Sequence, residues 1–351
     1  MEVPSIFLNR VLMETAKKNA QSVHIVAGSY PIIRLDNSLF ELEGESIASV
    51  EMIEKILTSF LNEEEKAAFR HNKEIVVMKT FAGSFRFRVG IFLQKGLPSL
   101  SFHYIPEKIM AGDELGLPPI LQNLVKLNSG LFVITGSRQS GKTATAAALI
   151  EEVNKTAKKR IITIENPIEY MFISKKSLIE QRQVGRDVAS IEQGIVHAQE
   201  EGADCVYIGE ARESADSFAA RMLELAAGNA LVIYETNSDN SKRVLEKIIA
   251  AAGKSSTLEA ARYALSDVLV GVISQRLFPR RGGGLALAAE VLLVNSPVKA
   301  LIREGKVSQL ESIMQTSRRE GMISLEKAIE ELVANGVVKR EDAEDGKLGT
   351  V

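Results

Sequence analysis

Eight consecutive residues of this chain form a pattern that could bind phosphate. Residues 136–143 read Gly-Ser-Arg-Gln-Ser-Gly-Lys-Thr and match G-x-x-x-x-G-K-[ST] at every constrained position. In such a loop the glycines let backbone N–H groups turn towards phosphate, the lysine reaches the β- and γ-phosphates, and the threonine hydroxyl ligates Mg²⁺. We therefore expect ATP to bind here with Mg²⁺, and we predict Thr143 as the metal ligand. The predicted ATP-binding residues of this segment are Gly136, Ser137, Arg138, Gln139, Ser140, Gly141, Lys142, Thr143 and Ala144.

The residues on either side of this segment predict the elements that would position it. Residues 131–135 are apolar and rich in β-branched side chains, as in a buried strand, and residues 143–150 are typical of the start of a helix. A strand, a glycine-bounded turn and a helix N-terminus together present free N–H groups and a positive dipole end to an anion. The alternative is an ordinary glycine-rich turn between a strand and a helix.

Two acidic residues follow other predicted strands and are the candidate catalytic groups. Glu210 comes just after the apolar run 205–208, where an NTPase needs an acid to organise Mg²⁺ and the attacking water. Glu165 follows the run 161–164, at a strand end that would face the ligand crevice of an open α/β sheet. A helix-capping or surface acid is the alternative for Glu210, and a solvated acid before a proline turn is the alternative for Glu165.

Composition indicates an ordinary globular chain with no electrostatic preference for nucleic acid. The 351 residues are 45% hydrophobic and 25% charged, with a formal net charge of −2. No window reaches the apolar length of a membrane span, and the first residues lack a secretory signal, so we expect a cytoplasmic protein without direct membrane insertion. The single cysteine, Cys205, excludes an intramolecular disulfide, and its apolar surroundings predict a buried thiol.

A change of pattern along the chain predicts two domains. Residues 1–110 contain an amphipathic helix and alternating strand patterns, as expected for a small α+β domain. Residues 111–119 hold Gly112, Gly116 and a Pro-Pro pair and predict a linker. Residues 120–351 alternate apolar strands with helices, which predicts an α/β domain with a mostly parallel sheet and C-terminal helices. The strand-like runs of this domain are 131–135, 161–164, 205–208, 230–234 and 268–273.

Taken together, these segments resemble the secretion and type IV pilus motor ATPases, specifically the PilT/PilU retraction type, over almost the whole chain. In the second domain the resemblance is carried by residues 130–143, 163–170 (the Asp box), 208–213 (Walker B), 272–277, 282–284 and 301–306. In the first domain it is carried by His24, Ala27, Gly28, Pro31, Ile33, Arg34, residues 86–89, Ile105 and Pro106.

The resemblance implies a PAS-like N-terminal domain, a RecA-like P-loop NTPase domain, and a hexameric ring with ATP between domains and subunits. It further implies that ATP hydrolysis changes domain angles and moves a pilus platform protein at the cytoplasmic face of the inner membrane. Arg86 and Arg88 match arginines of the N-terminal domain and are predicted to contact ATP. Arginines on an alternating strand are also typical of a solvated face, which is the alternative for these two residues.

The chain departs from the family pattern at positions that matter for hydrolysis. Asn166 stands where the Asp box has aspartate, and the His box reads Tyr-Glu-Thr-Asn-Ser over residues 234–238, without a histidine. Other residues stand where the family commonly has arginines: Leu93, Lys95, His103, Val196 and Glu200. Losing one such arginine can lower turnover by orders of magnitude. An accessory paralogue that binds ATP, joins a homomeric or mixed ring and hydrolyses little is therefore the alternative to a self-sufficient motor.

A RecA-like nucleic-acid translocase is a third possibility that shares the nucleotide-binding core. The sequence offers no basic stripe with interleaved aromatic residues, and it has no tryptophan and six tyrosines. We therefore expect no nucleic-acid partner.

Overall fold

The computed structural model describes residues 4–124, 126–210 and 213–348. The chain divides into two compact units. The first contains the residues up to Lys108 together with Glu169–Met171, and the second contains the remainder. Among the described residues, no helix has both the length and the apolar character needed to cross a membrane.

The described residues of the first unit form an antiparallel sheet of six strands and three helices. The strands lie in the order β3-β2-β1-β6-β5-β4, and all neighbouring strands are antiparallel. The strands are β1 (Ser22–Val26), β2 (Ile32–Leu35), β3 (Ser38–Glu41), β4 (Glu74–Phe81), β5 (Phe85–Gln94) and β6 (Leu97–Ile105). The helices are α1 (Pro4–Lys17), α2 (Val50–Phe60) and α3 (Glu63–Asn72).

The core of the first unit lies between this sheet and the apolar faces of α1 and α2. Phe7, Val11 and Leu12 of α1 are fully buried, as their helical spacing predicts. Ile6 lies on the same helix outside this buried stripe and is 57% exposed. From the sheet, aromatic side chains such as Phe102 pack into this core.

The second unit is a seven-stranded sheet in the order β13-β12-β7-β11-β10-β8-β9. All neighbouring strands are parallel except β12 and β13, which are antiparallel. The strands are β7 (Gly130–Gly136), β8 (Arg160–Glu165), β9 (Leu178–Gln183), β10 (Cys205–Ile208), β11 (Leu231–Asn237), β12 (Leu269–Pro279) and β13 (Leu285–Leu293). Apolar side chains cover both faces of the central strands, which is typical of a parallel sheet between helices.

Helices of the second unit pack around this sheet. They are α4 (Leu121–Leu124), α5 (Lys142–Thr156), α6 (Ile191–Glu200), α7 (Ala219–Ala227), α8 (Ser241–Ala252), α9 (Leu258–Val268), α10 (Ser296–Arg303), α11 (Leu310–Thr316), α12 (Leu325–Ala334) and α13 (Arg340–Leu348). Short 3-10 helices lie at Ala215–Ser217, Val307–Gln309 and Arg318–Glu320. The α12 helix ends at Ala334 and is capped by Asn335, followed by Gly336 with a positive φ.

The predicted fold class is confirmed: a small α+β unit is followed by an α/β unit with a mostly parallel sheet. Two strands of that sheet, β9 and β13, were not predicted. The sequence of β9 is polar and that of β13 is rich in alanine, so neither carries the apolar, β-branched signal of a strand. The β11 strand is longer than predicted and continues past Tyr234 to Asn237.

Candidate functional site

The phosphate-binding motif lies between a buried strand and the first turn of a helix. Every residue of β7 is buried, and α5 begins at Lys142. A Cβ atom on Gly136, whose φ is +151°, would lie 2.5 Å from both the Gln275 carbonyl oxygen and Ser140 Oγ. Only glycine fits at this position, because a side chain would displace the loop or the neighbouring strand β12.

The Lys142 ammonium lies at the centre of a polar cluster. Its Nζ donates hydrogen bonds to the Ser137 carbonyl oxygen at 2.9 Å and to Asn237 Oδ1 at 2.8 Å. The same Nζ is 3.5 Å from Glu210 Oε2, and Asn237 Nδ2 donates to the other Glu210 oxygen. The motif lysine and the predicted base therefore lie together, with Asn237 joining them.

A second carboxylate reaches the motif at its threonine. Thr143 Oγ1 donates a hydrogen bond of 3.1 Å to Glu235 Oε1, and the Tyr207 hydroxyl donates one of 2.6 Å to Glu235 Oε2. The Glu235 residue is 1% exposed. Its position follows from the parallel pairing of β11 with β7, which sets Glu235 opposite Ile134, two residues before the motif.

Glu165 is buried at the end of β8, where it accepts hydrogen bonds from other groups of the second unit. Thr163 Oγ1 donates to Glu165 Oε1 at 2.6 Å, and Gln181 Nε2 donates to the same oxygen at 3.2 Å. Two strands, β10 and β11, lie between β8 and the motif strand β7. Glu165 is 5% exposed, which contradicts the alternative of a solvated acid at this position.

Arg86 and Arg88 lie on β5 in the first unit. Arg86 Nε donates to the Glu169 carbonyl oxygen at 2.8 Å, and Arg88 Nη1 donates to Glu169 Oε1 at 2.7 Å. Since Glu169 belongs to the same compact unit, both contacts are internal to it. Either arginine would have to exchange such a contact to meet a phosphate group.

The other predicted residues have the exposure that a binding loop requires. Ser137, Arg138 and Gln139 are exposed, and Ala144 is half-buried on the first turn of α5. Ser140 Oγ is buried and has no hydrogen-bond partner among the described residues. In the predicted Walker B segment 208–213, Ala211 and Arg212 lie outside the described residues.

These groups fit a nucleotide phosphate and a hard cation. Gly136 provides a cradle that a Cβ would fill, and Lys142 provides a buried positive charge. Thr143 and the nearby carboxylates provide the oxygen ligands that Mg²⁺ prefers, directly or through water.

Sequence comparison places these features in a family. Residues 114–281 match the family model "Type II/IV secretion system protein". The chain is 30% identical over 339 residues to the type IV pilus retraction ATPase PilT of Pseudomonas aeruginosa, covering 96% of this chain and 97% of that protein. It is also 31% identical to a twitching motility protein of Neisseria gonorrhoeae, covering 91% and 84% of the two chains. The chain belongs to the PilT/PilU-like type IV pilus ATPase family.

Structural comparison agrees with this assignment. A crystal structure of the pilus retraction motor PilT with bound ADP superposes with a TM-score of 0.81 at 30% identity, covering 96% of each chain. The resemblance derived from the sequence motifs is therefore confirmed, and the P-loop of residues 136–143 is that of a secretion ATPase family member.

Three residues of the site were missed by sequence reasoning: Asn237, Glu235 and Tyr207. In the sequence, the first two appear only as departures from the His box of the PilT family, since β11 is predicted to end at Tyr234. The available signal was the polar run that directly follows the apolar part of β11, because strand ends of a parallel sheet meet the ligand crevice. Tyr207 gave no signal, since a tyrosine in an apolar strand is also typical of a core residue.

Proposed function

We propose that this chain binds ATP with Mg²⁺ at residues 136–144 and hydrolyses it as a motor of the type IV pilus retraction type. The observation that carries the proposal is the 3.5 Å approach of Lys142 Nζ to Glu210 Oε2 inside an intact P-loop. A phosphate-binding cation and a carboxylate that can accept a proton from water therefore lie side by side. Its similarity to PilT over nearly the whole chain supports the pilus role.

Each residue has a distinct part in this proposal. Lys142 would exchange its contact with Asn237 or Glu210 for the β- and γ-phosphate oxygens. Glu210 would orient the attacking water and accept its proton, and Asn237 would hold the Glu210 carboxylate in place. Mg²⁺, held in part by Thr143, would supply charge neutralisation at the phosphates. Glu165 remains a second candidate acid.

The proposed assembly is a ring of six subunits, homomeric or shared with a paralogous ATPase, at the cytoplasmic face of the inner membrane. Its mechanical partner would be a pilus platform protein. Arg86 and Arg88 would contribute to a nucleotide site after leaving Glu169. The similar crystal structure is that of the pilus retraction motor PilT with bound ADP. This similarity supports the same nucleotide class and the same role for this chain.

A second function is favoured by the residues around the site. Asn166 removes one acid of the Asp box, and Glu235 and Asn237 occupy a box that usually holds histidine. Arg86 and Arg88 both have Glu169 as a partner. The alternative is therefore an accessory paralogue that binds ATP and modulates a ring while hydrolysing little.

Steady-state phosphate release with Mg-ATP tests the two functions, with Lys142→Ala and Glu210→Gln as matched variants. A self-sufficient motor gives turnover that falls to background in both variants. Background turnover in the unaltered chain, with ATP binding retained, would instead favour the accessory role, and turnover should then rise on adding a fully equipped paralogue. Absence of ATP binding would contradict both functions.

A further inference from the structure

The Glu235 carboxylate is a buried acid that meets the motif threonine from an unexpected strand. It lies near the end of β11, which is directly beside the motif strand β7 in the sheet. The predicted acid Glu210 follows β10, and Glu165 is the last residue of β8. Both strands are farther from β7. Of these three acids, Glu235 is the one to which the Thr143 hydroxyl donates in this structure.

The burial of Glu235 needs a reason, because an ionised carboxylate at 1% exposure is unfavourable unless other groups stabilise it. The Tyr207 hydroxyl and Thr143 Oγ1 donate hydrogen bonds to its two oxygens, at 2.6 and 3.1 Å. These two contacts orient the carboxylate along β11 and direct one oxygen at the threonine. The Glu235 carboxylate is therefore oriented towards a cation that binds at Thr143.

P-loop NTPases hold Mg²⁺ with the Ser or Thr of the loop and with a carboxylate from a neighbouring strand. Glu210 is engaged differently in this structure, since its carboxylate lies beside Lys142 and accepts from Asn237. We infer that Glu235 is the protein carboxylate that positions Mg²⁺ through Thr143, leaving Glu210 to act at the phosphate and water end. This inference rests on the proposed binding of Mg-nucleotide at residues 136–144.

Two carboxylates then divide the roles, with Glu235 positioning Mg²⁺ and Glu210 acting on the attacking water. Tyr207 is a positioning residue, because its hydroxyl donates a hydrogen bond that fixes the Glu235 carboxylate.

The test is the Mg²⁺ dependence of nucleotide binding by the full chain, which needs no turnover. A fluorescent ADP analogue is titrated in excess Mg²⁺ and again in EDTA, and the ratio of the two dissociation constants is compared between variants. We expect the factor by which Mg²⁺ strengthens binding of the ADP analogue to be at least about tenfold smaller in Glu235→Gln than in the unaltered chain. Affinity in EDTA should stay the same or rise, because a negative charge near the phosphates has been removed.

Three further variants make the result specific. Glu165→Gln tests the competing acid, and Glu151→Gln is the matched control, because Glu151 is a buried acid whose partners are Asn154 and Lys175. Neither should change the ratio. Tyr207→Phe keeps the charge of Glu235 and removes its orienting hydrogen bond, so we expect a smaller loss that remains measurable even if Glu235→Gln fails to fold.

A ratio for Glu235→Gln within about twofold of the unaltered chain would overturn the inference, and so would a loss seen in Glu165→Gln but not in Glu235→Gln. If Glu235→Gln does not fold, an unchanged ratio in Tyr207→Phe overturns it. These outcomes leave nucleotide binding itself intact. Failure of the unaltered chain to bind the ADP analogue in either buffer would instead refute the proposed function, and the inference with it.

Discussion

At the scale of single residues, Asn237 connects the two charges of the site. Its side-chain oxygen accepts from Lys142 and its amide donates to Glu210, so one neutral side chain orients a cation and an anion at once. An amide can do this because it carries both donors and acceptors. A histidine at this position would present one ring nitrogen to each partner only in a suitable tautomer.

The proximity of Glu210 to Lys142 leads to a prediction about affinity. The carboxylate competes with phosphate for the ammonium and repels phosphate charge, so Glu210→Gln should bind ATP about fivefold more tightly, equivalent to about 1 kcal/mol. Turnover should fall in the same variant. Equilibrium binding of a fluorescent ATP analogue measures the first effect, with Lys142→Ala as the control that loses binding. A weaker affinity in Glu210→Gln would show that the carboxylate assists binding instead.

At the scale of elements, the site depends on how closely helices approach the parallel sheet. The α6 helix packs against β8, the strand that ends at Glu165, and Gly194 of α6 faces Ile164 of β8. A Cβ atom on Gly194 would lie 2.9 to 3.1 Å from three side-chain carbons of Ile164. This contact is too short for van der Waals packing, so glycine permits the helix to sit at its observed distance.

Gly194→Ala should therefore destabilise the chain in spite of the better helix propensity of alanine. Overpacking costs about 1–3 kcal/mol and the propensity gain is about 1 kcal/mol, so we expect a net loss of about 1 kcal/mol. In an Ile164→Ala background the contact is absent and the same substitution should stabilise. Urea unfolding measures the free energy of unfolding of the unaltered chain, the two single variants and the double variant. The effect of Gly194→Ala on this free energy should change sign between the two backgrounds. Gly112→Ala is the control, since its nearest neighbour would be 3.5 Å away. The same sign in both backgrounds would refute the packing argument.

At the scale of the whole molecule, the predicted arginines belong to a different compact unit from the P-loop. Within that unit Glu169 accepts from both Arg86 and Arg88. In a ring of identical head-to-tail interfaces, a residue of one subunit can complete the site of its neighbour. The proposed ring therefore predicts complementation between two inactive variants.

Arg88→Ala subunits keep their own P-loop and Glu210, while Glu210→Gln subunits keep Arg88. Each variant alone should lose turnover by at least about tenfold. If Arg88 acts on a neighbouring subunit, an equal mixture should regain up to about a quarter of the unaltered rate, because random mixing gives that share of productive neighbours. Phosphate release before and after mixing measures it. If turnover does not recover in mixed rings, Arg88 acts on the nucleotide of its own subunit or does not contact the nucleotide at all.

Much of the fold was predictable because its signals are local. Apolar, β-branched runs predicted the central strands β7, β8 and β10, since strands buried on both faces must be apolar. The two strands that were not predicted, β9 and β13, lie at the edges of the sheet. One side of an edge strand lacks a neighbouring strand, so its sequence need not be uniformly apolar. The division into residues 1–110, 111–119 and 120–351 stays a prediction.

The sequence by itself determined that the chain has a P-loop, which residues form it, and that it belongs among the pilus and secretion ATPases. Such a loop is one continuous segment, so its glycines, lysine and threonine are visible without the fold. Only the tertiary structure decided which acids meet it. Glu210 lies 68 residues beyond its contact Lys142, and Glu235 lies 92 residues beyond its contact Thr143. Their approach depends on strand order and register, which no local pattern encodes.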